Sequence, residues 1–485
     1  MTSAGAYTIV EIIVGSFLVV FATGYVTLLV RAIRATHHEL DAERRRSWGM
    51  DQLAVSPAQP MVTIVVPAHQ EQASIVGTVR SLLAQRWHRF EVIVVPNGCT
   101  DRTVRNLHDA FDLASVPALL ERPPGTRGRI RDVSRSRSDP RLTVIETSGG
   151  GKADAVNCAL ERASGEFCLL VDADSMLAPH AVARSILPFV ELGDQVAGVS
   201  ASIRVLNGAT VTEDGSVRSE MPRSRLARMQ LVEYSRAFHI GRAGWASLGA
   251  LPVVSGAFGM YRTSVLRAVG GLDTTTVGED LELVLRLHAR VRRSGRRPQL
   301  VHLAEPLCWT EVPEDLASLR AQRIRWHRGL AEVVRLHGSM MFNARHGTVG
   351  LLSMPFLGLF ELFAPLVELL GLAALSAAAT SGALSWTVVV ALGSFAVLFG
   401  MALSMGAVLL EQVWGRGFAL RPSDVWTLAG AALLEQFGHR QRTAAWRIRG
   451  LLAGMWSGLG HPTDPGSSSA WGEMHHRGAR SVTGS

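Results

Sequence analysis

The chain has 485 residues, a length that suggests two or three structural units instead of a single core. Hydrophobic residues make up 47% and charged residues 19%, and the apolar residues are concentrated towards the two ends. The net charge of +8 suits anionic lipids and anionic substrates, but no nucleic-acid-binding motif accompanies it, which argues against that class. The 4 cysteines lack metal-ligand spacing, as expected for unpaired thiols in a reducing compartment.

An apolar segment near the N-terminus predicts a membrane-spanning helix. Residues 12–30 carry no charged side chain and approach the ~20 residues that a helix needs to cross the hydrocarbon core. Arg31 and Arg34 follow this segment, whereas a cleaved signal peptide would carry its positive charge in front. We therefore expect an uncleaved anchor over residues 1–30 and a linker over residues 31–60.

A second hydrophobic block, residues 347–411, is predicted to form two spanning helices joined by a short turn. Glu361 and Glu368 lie on one helical face of this block, and charged groups at membrane depth are costly unless they face protein or a cavity. They form either a polar seam between packed helices or the lining of a conduit. Arginines flank the apolar segments on one side, which predicts a multi-pass plasma-membrane protein with a cytoplasmic middle domain.

The middle of the chain alternates short β-branched runs with helical patterns. Residues 62–66, 74–85 and 90–95 have the patterns of a strand, a helix and a strand, and the alternation continues to residue 203. This order predicts an α/β fold with a mostly parallel sheet and flanking helices. An arginine-rich stretch, residues 122–141, interrupts the order and predicts a mobile loop, either solvated or in contact with anionic headgroups.

Ligands of such sheets bind beyond the carboxyl ends of the strands, so residues that follow strands are candidate binding residues. Short polar side chains occur in turns after the first two predicted strands, where a nucleoside could be held. The candidates are Pro67, His69, Glu71, Asn97 and Asp101. Each turn alone is a weak signal, because turns of this composition are common.

Candidate phosphate and metal ligands follow farther along the chain. Three glycines lead into a predicted helix that starts at Lys152, and both a helix N-terminus and a lysine favour phosphate. Asp172 and Asp174 end an apolar strand, and Mg²⁺ or Mn²⁺ takes one or two carboxylates together with substrate phosphates. The sequence therefore predicts a divalent-metal site at Asp172 and Asp174.

Three later motifs complete a resemblance to one family. Residues 255–259, which include Gly256, are similar to a segment beside an acceptor site; Glu279 and Asp280 match a Thr-Glu-Asp signature, and residues 322–326 fit a Gln-x-x-Arg-Trp signature. The chain resembles the family 2 inverting glycosyltransferases with a GT-A domain. Its likeness is to the membrane-embedded branch that includes synthases of cellulose, hyaluronan, chitin oligomers and poly-N-acetylglucosamine.

The resemblance implies a role for each motif. Asp280 would be the general base that deprotonates the acceptor hydroxyl, with Glu279 beside it, because an inverting transfer needs one base and no enzyme nucleophile. Gln322, Arg325 and Trp326 would bind the acceptor and the donor diphosphate. A basic amphipathic helix on the membrane surface explains the same segment without a ligand, and both interpretations can hold together.

The same resemblance implies that Lys152 and Asp172 contact the nucleotide-sugar, and it contains two departures. Pro96 and Asn97 stand where most relatives carry consecutive aspartates, and Gly278 stands where they carry the threonine of the Thr-Glu-Asp signature. Because the two carboxylates of that signature are intact, we expect activity to survive the second change.

The predicted organisation is a GT-A domain over residues 61–310, amphipathic interface helices over 311–346, two spanning helices over 347–411, and a C-terminal interfacial helix and tail over 412–485. The expected function is transfer of a sugar from a nucleotide-sugar, such as UDP-N-acetylglucosamine, to a growing polysaccharide at the cytoplasmic face. The alternative is a single-addition transferase that acts on a lipid-linked or other small acceptor. A membrane scaffold without catalysis is disfavoured by the intact motif residues.

The expected partners follow from this function. They are the nucleotide-sugar donor, a polysaccharide or lipid-linked acceptor, and membrane lipids. Two spans after the catalytic domain are few for a conduit, so a second copy of the chain or an export partner is also expected.

Overall fold

The computed structural model describes residues 3–56, 59–117, 121, 123, 125–212, 216–293, 299–380, 386–414, 420–456 and 480–481. The strands are β1 Val62–Ala68, β2 Phe90–Pro96, β3 Leu113–Ser115, β4 Ile130–Ser136, β5 Leu142–Thr147, β6 Phe167–Leu170, β7 Ser175–Leu177, β8 Val196–Val205, β9 Thr210–Val211, β10 Val217–Arg218, β11 Gly259–Arg262, β12 Gln299–Thr310 and β13 Arg480–Ser481. The α-helices are α1 Ser3–Val55, α2 Ile75–Leu83, α3 Thr103–Phe111, α4 Lys152–Arg162, α5 Ala181–Leu192, α6 Arg225–Ser235, α7 Ala243–Ser247, α8 Thr263–Val269, α9 Glu279–Arg293, α10 Leu316–Leu336, α11 Met354–Phe356, α12 Ala364–Thr380, α13 Trp386–Gln412, α14 Pro422–Leu434 and α15 Arg440–Trp456. Single π-helical segments lie at Arg236–Arg242, Val349–Ser353, Leu357–Leu362 and Glu435–His439. The predicted turn after residue 380 and most of the predicted C-terminal tail lie outside the described residues.

A 10-stranded sheet forms the centre of the middle domain, in the order β3-β4-β5-β2-β1-β6-β11-β8-β12-β7. The neighbours β5, β2, β1 and β6 are parallel, as predicted, and β11 runs antiparallel between β6 and β8. Helices pack on both faces of the sheet. The predicted α/β fold is therefore confirmed.

The residues of β1 show why the polar groups gather at one edge of the sheet. All seven residues of this strand are buried, with Ile64 and Val66 packed in one core and Val65 in the other. The first core includes side chains of α2, α3 and α5, and the second includes side chains of α4, α8 and α9. Because both faces are covered, strand ends are where polar side chains can meet a ligand.

The arginine-rich stretch is partly built into the sheet. β4 pairs antiparallel with β3 and β5, and it buries Ile130 and Val133 in the second core. The carboxylate of Asp154 in α4 accepts hydrogen bonds from the backbone amides of Arg127 and Gly128, which fixes the entry to β4. The prediction of a mobile loop is therefore wrong for β4, because its apolar residues give the strand a buried face.

Among the residues that the structure describes, three helical segments are long and apolar enough to cross a membrane: Gly15–Arg45, Val349–Thr380 and Trp386–Gln412. They lie where the sequence predicts three spans. The first belongs to α1, which continues without a break to Val55, so the predicted linker is mostly helical. The basic residues that end the apolar run do not end the helix, because arginine and lysine are good helix formers. α1 packs against α7, which ties the N-terminal helix to the middle domain.

The C-terminal helix α15 packs along α10 and α12. Arg447 of α15 lies 3.5 Å from Glu361, and Arg440 lies 3.1 Å from Glu368. These pairs run in opposite order along the two chain segments, as in an antiparallel pair of helices. The glutamates of the second apolar segment therefore face protein and form a polar seam between packed helices, the first of the two alternatives.

Candidate active site

A small cavity of about 20 Å³ opens at the carboxyl ends of β1 and β6. Apolar and aromatic side chains, among them Leu170 and Tyr261, form part of its wall. Five residues singled out in the sequence also line it: Pro67, Lys152, Gly256, Glu279 and Asp280. Candidate phosphate, acceptor and catalytic residues, far apart in the chain, are thus brought together in one cavity.

Lys152 carries positive charge into this cavity. As the first residue of α4 it follows Gly151, whose φ of 94° is accessible to glycine at low cost. Its ammonium lies 2.5 Å from an oxygen of Asp172 and 3.8 Å from an oxygen of Glu279. Burial acts to lower the pKa of Lys152, but the neighbouring carboxylates outweigh it and hold the pKa above its usual value. The side chain therefore stays charged.

Gly256 leaves room for this ammonium group. A Cβ atom at position 256 would lie 2.5 Å from the nitrogen of Lys152 and 3.9 Å from an oxygen of Asp172. Any side chain here would displace the lysine from its carboxylate partner. The position of Lys152 therefore requires a glycine at 256, independently of any contact that Gly256 makes with an acceptor.

Two adjacent carboxylates begin α9. Asp280 accepts a hydrogen bond from the amide of Leu281 at 2.8 Å, and the positive end of the helix dipole favours negative charge at this position. Burial raises the pKa of Glu279 against the opposing charges of Lys152 and Arg325, and Asp280 adds to the rise. Glu279 therefore holds a proton to higher pH than an exposed glutamate does.

Asp172 and Asp174 follow β6 and differ in their surroundings. The side chain of Asp172 is 30% exposed and faces Lys152. Asp174 is buried, and one of its oxygens accepts hydrogen bonds from the hydroxyls of Thr310 at 3.2 Å and Ser175 at 3.3 Å. These hydroxyls fix the orientation of the Asp174 carboxylate.

The chemistry of these two aspartates fits a hard divalent cation such as Mg²⁺ or Mn²⁺, because both offer carboxylate oxygens at the end of a buried strand. Within the described ranges of the chain, no cluster of three or more His, Cys, Asp or Glu side chains is placed to hold a metal ion. A metal held by Asp172 and Asp174 would therefore take its remaining ligands from substrate phosphates or water.

The loops after β1 and β2 contact each other. The ring Nδ1 of His69 lies 2.8 Å from the carbonyl oxygen of Asn97. The side chain of Asn97 is buried; its amide nitrogen donates to the hydroxyl of Thr147 at 3.0 Å, and its oxygen accepts from the amide of Gly151 at 3.2 Å. Asn97 therefore holds the glycine turn that precedes Lys152, using one donor and one acceptor.

Glu71 and Asp101 fix the same pair of loops. Asp101 accepts hydrogen bonds from the backbone amides of Gln72 at 3.1 Å and Thr103 at 3.0 Å. Glu71 accepts a hydrogen bond from the hydroxyl of Ser74 at 2.6 Å. Both carboxylates have partners within the protein, and their contact with a nucleotide-sugar stays a prediction.

The Gln-x-x-Arg-Trp motif lies on α10. Gln322 is buried, Arg325 is half-buried and Trp326 is 42% exposed. Arg323 places its guanidinium carbon 4.7 Å from the ring centre of Trp326, and two hydrogen bonds of 2.6 and 2.8 Å join that guanidinium to Glu233. An arginine inside the motif therefore orients the exposed tryptophan.

Two glycines bring α10 against the start of α9. A Cβ atom on Gly329 would lie 2.9 Å from the amide nitrogen of Gly278, and one on Gly278 would lie 3.1 Å from the carbonyl carbon of Gly329. Glu332, on the next turn of α10, accepts a hydrogen bond from the amide of Val277 at 3.1 Å. Gly278, the departure from the Thr-Glu-Asp signature, therefore lets α10 touch the segment that carries Glu279.

Three side chains of the site have no local sequence signal. Tyr261 lines the cavity, and burial together with Asp280 raises its pKa. Arg242 stacks on Phe238 with its guanidinium carbon 3.9 Å from the ring centre, and burial lowers its pKa to about 10 against the effect of Asp280. Thr310 donates to the metal-site candidate Asp174.

The sheet and the site at its carboxyl edge have the arrangement of a GT-A fold. The model of the glycosyltransferase-like family 2 matches residues 58–329, and the chain belongs to this family. Two curated relatives are named poly-beta-1,6-N-acetyl-D-glucosamine synthase. The Staphylococcus epidermidis relative is 23% identical over 273 residues, which is 56% of this chain and 55% of that protein. The Staphylococcus aureus (strain COL) relative is 24% identical over 276 residues, again 56% and 55%.

The chain therefore spans about half the length of the curated relatives it matches. A solved structure shares the fold: the mannosyltransferase PcManGT from Pyrobaculum calidifontis, in complex with GDP-Man and Mn²⁺. It covers 89% of this chain and 100% of its own, with a TM-score of 0.51 and 19% identity. At this identity the likeness shows the shared fold.

The glycine contact predicts the effect of a single methyl group. Gly329→Ala should lower sugar-transfer turnover by roughly 10- to 100-fold, because relieving the clash requires α10 to move away from the α9 start. Gly278→Ala should be milder, and Gly430→Ala on α14, where a Cβ atom meets nothing within 4 Å, is the control. The measurements are turnover and thermal stability in lipid. Turnover of Gly329→Ala equal to that of Gly430→Ala would contradict a positioning role for this contact.

The acidic pair at the start of α9 predicts a pH dependence. Sugar-transfer activity should rise with pH through a pKa above that of an ordinary glutamate, because burial raises the pKa of Glu279 and a proton on Glu279 removes negative charge beside the proposed base Asp280. In Glu279→Gln the neighbouring negative charge is gone, so the remaining activity should rise at lower pH than in the wild type. The measurement is the pH profile of kcat/KM for the wild type and Glu279→Gln. If the two profiles coincide, another group causes the loss of activity at low pH.

Proposed function

We propose that the protein transfers a sugar from a nucleotide-sugar, with inversion, to a growing polysaccharide at the cytoplasmic face of the membrane. The observation that carries the proposal is one cavity in which charged Lys152 lies beside Glu279 and Asp280 and is paired with Asp172. The proposed donor is a UDP-sugar such as UDP-N-acetylglucosamine.

The charge at the cavity supports a diphosphate donor. Lys152 and the N-terminus of α4 offer positive charge at the carboxyl edge of the sheet. Arg325 supplies a second cation that acts on Glu279. Asp172 and Asp174 would hold Mg²⁺ or Mn²⁺, which stabilises charge on a leaving diphosphate. The Pyrobaculum calidifontis mannosyltransferase of the same fold was solved with GDP-Man and Mn²⁺.

Asp280 is the proposed general base. It accepts the proton of the acceptor hydroxyl while the hydroxyl oxygen bonds to the anomeric carbon, and the nucleoside diphosphate leaves with the electrons of the broken bond. Attack from the face opposite the leaving group inverts the configuration. Lys152 and Arg325 hold the departing diphosphate, so no covalent sugar-enzyme intermediate is needed.

Repeated addition is supported by the relatives and by α10. The two staphylococcal relatives carry the name of a synthase of poly-beta-1,6-N-acetyl-D-glucosamine. Trp326 presents an exposed indole next to half-buried Arg325, and an aromatic face can hold a sugar ring by apolar stacking while its hydroxyls stay free. The acceptor is therefore proposed to bind against Trp326.

The sidedness rests on charge. Arginines follow the first apolar segment and flank the later two, and such residues favour the cytoplasmic side. The middle domain lies between the first and second apolar segments, so it shares that side in this proposal. A nucleotide-sugar made in the cytoplasm then reaches the cavity without crossing the membrane.

A single-addition transferase is the second candidate. In the described part of the chain, two helices long and apolar enough to cross a membrane follow the catalytic domain. Two helices are few to enclose a polysaccharide, so a polymerising enzyme of this build would need a second copy or an export partner. A lipid-linked or other small acceptor needs neither.

The proposed function predicts metal-dependent transfer that needs both carboxylate sites. Full-length protein in lipid vesicles, given labelled nucleotide-sugars and Mg²⁺ or Mn²⁺, should form a glycosylated product, and chelation of the metal should stop it. Asp280→Asn should lower turnover by at least ~100-fold with donor binding kept. Asp174→Asn should remove the response to metal. Loss of donor affinity in Asp280→Asn would make this residue a binding group, and no transfer from any donor would reject the proposal.

Product length separates the two candidates. Trp326→Ala should shorten the products more than it weakens donor binding, because the donor is held by charged groups. Arg325→Ala should do the reverse and slow every transfer. Trp426→Ala, at a tryptophan that is 78% exposed on α14, is the control. The measurement is product size with donor in excess, and one sugar per acceptor in the wild type would favour the single-addition enzyme.

A further inference from the structure

A chain of polar side chains links the apolar segments to the motif helix α10. The hydroxyl of Tyr25 in α1 donates to Glu361 Oε1 at 3.2 Å, and Glu361 Oε2 lies 3.5 Å from the guanidinium of Arg447 in α15. Arg447 also donates to the carbonyl oxygen of Glu361 at 2.7 Å and, through Nε, to His327 Nδ1 at 3.3 Å. Four elements are therefore joined, and the chain ends next to Trp326 on α10.

His327 is a fixed connector in this chain. A guanidinium can only donate, so Nδ1 of His327 is the acceptor and the ring proton is on Nε2. That proton is donated to the carbonyl oxygen of Leu362 at 3.1 Å, at the end of a π-helical segment. Burial and the charge of Arg447 lower the pKa of His327 to about 3, so the ring stays neutral in this tautomer at physiological pH.

The backbones of α10 and α15 also meet at this point. A Cβ atom on Gly450 would lie 2.5 Å from the carbonyl oxygen of Ile324, and one on Gly454 would lie 2.8 Å from that of Arg328. These glycines lie one turn apart on α15 and follow Arg447. The stretch 324–328 of α10, which contains Arg325 and Trp326, thus packs closely against the glycines of α15.

We propose that Arg447 is a positioning residue for the transfer reaction: it sets the place of Arg325 and Trp326 at the cavity by holding α10 to the two apolar segments through His327 and Glu361. The inference rests on the proposed function of α10 in binding the diphosphate and the acceptor. The contacts of Arg447 with the described residues are to His327 and Glu361, which do not line the cavity, so its effect is proposed to pass through α10. The glycines fix the distance between the helices, and the arginine fixes their register.

The protein contains a matched control for Arg447. Arg440 lies seven positions earlier on the same helix and pairs with Glu368 at 3.1 Å, as Arg447 pairs with Glu361 at 3.5 Å. Arg440 also donates to the side chain of Gln436, in the π-helical segment that precedes α15. Arg440→Met therefore removes the same kind of ion pair without removing a contact to α10.

The test compares Arg447→Met with Arg440→Met in full-length protein reconstituted in lipid. Arg447→Met is expected to lower kcat by roughly 10- to 100-fold, the cost of a small displacement of binding groups, with protein still inserted. Arg440→Met is expected to keep kcat close to that of the wild type. Equal kcat for Arg447→Met and wild type would overturn the inference, and so would equal losses in both variants, which would show a shared loss of stability.

A double variant shows whether Arg447 acts through the motif. Arg325→Ala removes a group that Arg447 is proposed to position. Adding Arg447→Met to Arg325→Ala should therefore lower kcat by a much smaller factor than Arg447→Met does in the wild type. Adding Arg440→Met to Arg325→Ala should change kcat by the same factor as Arg440→Met does in the wild type. If kcat of the double variant falls by the product of the two single-variant factors, the two residues act independently and the inference is overturned.

Arg447→Lys and the activity of the wild type serve as further controls. If Arg447→Met fails to insert, Arg447→Lys keeps a charge opposite Glu361 with fewer donors, and an intermediate kcat is expected of it. Wild-type kcat in Arg447→Lys would count against the hydrogen bond to His327. Absence of transfer in the wild type would reject the proposed function itself, whereas a normal wild type with an unaffected Arg447→Met rejects only the positioning role.

Discussion

The charge balance around Lys152 is the constraint on which the rest of the site depends. Asp172, Glu279 and Asp280 all act on its ammonium and hold the pKa of Lys152 above its usual value against the effect of burial. The glycine turn before α4 positions Lys152, and the absence of a side chain at Gly256 leaves room for its ammonium group. Two separate segments of backbone are therefore adapted to one side chain, and a donor diphosphate would meet a cation whose charge the neighbouring carboxylates maintain.

The motif helix α10 is held by backbone contacts on two sides. Gly329 meets Gly278 at the start of α9, while Gly450 and Gly454 of α15 meet the carbonyl oxygens of α10. Contacts between backbones leave little freedom to adjust, because a protein interior is packed as densely as a crystal. Displacement of α10 by the width of a methyl group would therefore move Trp326 by a similar amount. The glycine at 278 is better explained by this packing than as a loss of the signature.

The features that the sequence predicts are those encoded in short contiguous patterns. Strand and helix alternation, three apolar segments and carboxylates after an apolar strand each depend on local spacing, and the fold confirms the α/β class. Strand β4 is difficult to predict from the sequence because polar residues, arginines among them, separate and follow its buried Ile130 and Val133. Arg242 and Tyr261 reach the site only through tertiary packing, since a lone arginine in a helix and a tyrosine in a strand are ordinary locally.

The ion pairs between the second apolar segment and α15 show how charged side chains in an apolar helix can position a helix that packs against it. Charged groups in apolar helices are costly unless they are paired, so Glu361 and Glu368 each favour a neighbouring arginine on α15. A slip of α15 by one turn would move both arginines away from their carboxylates. Of these two pairs, the Arg447–Glu361 pair is the one whose arginine also bonds to α10, through His327. Because Arg447 bonds to His327 and the glycines of α15 lie against α10, the proposed positioning role connects this ion pair with the helix that carries Trp326.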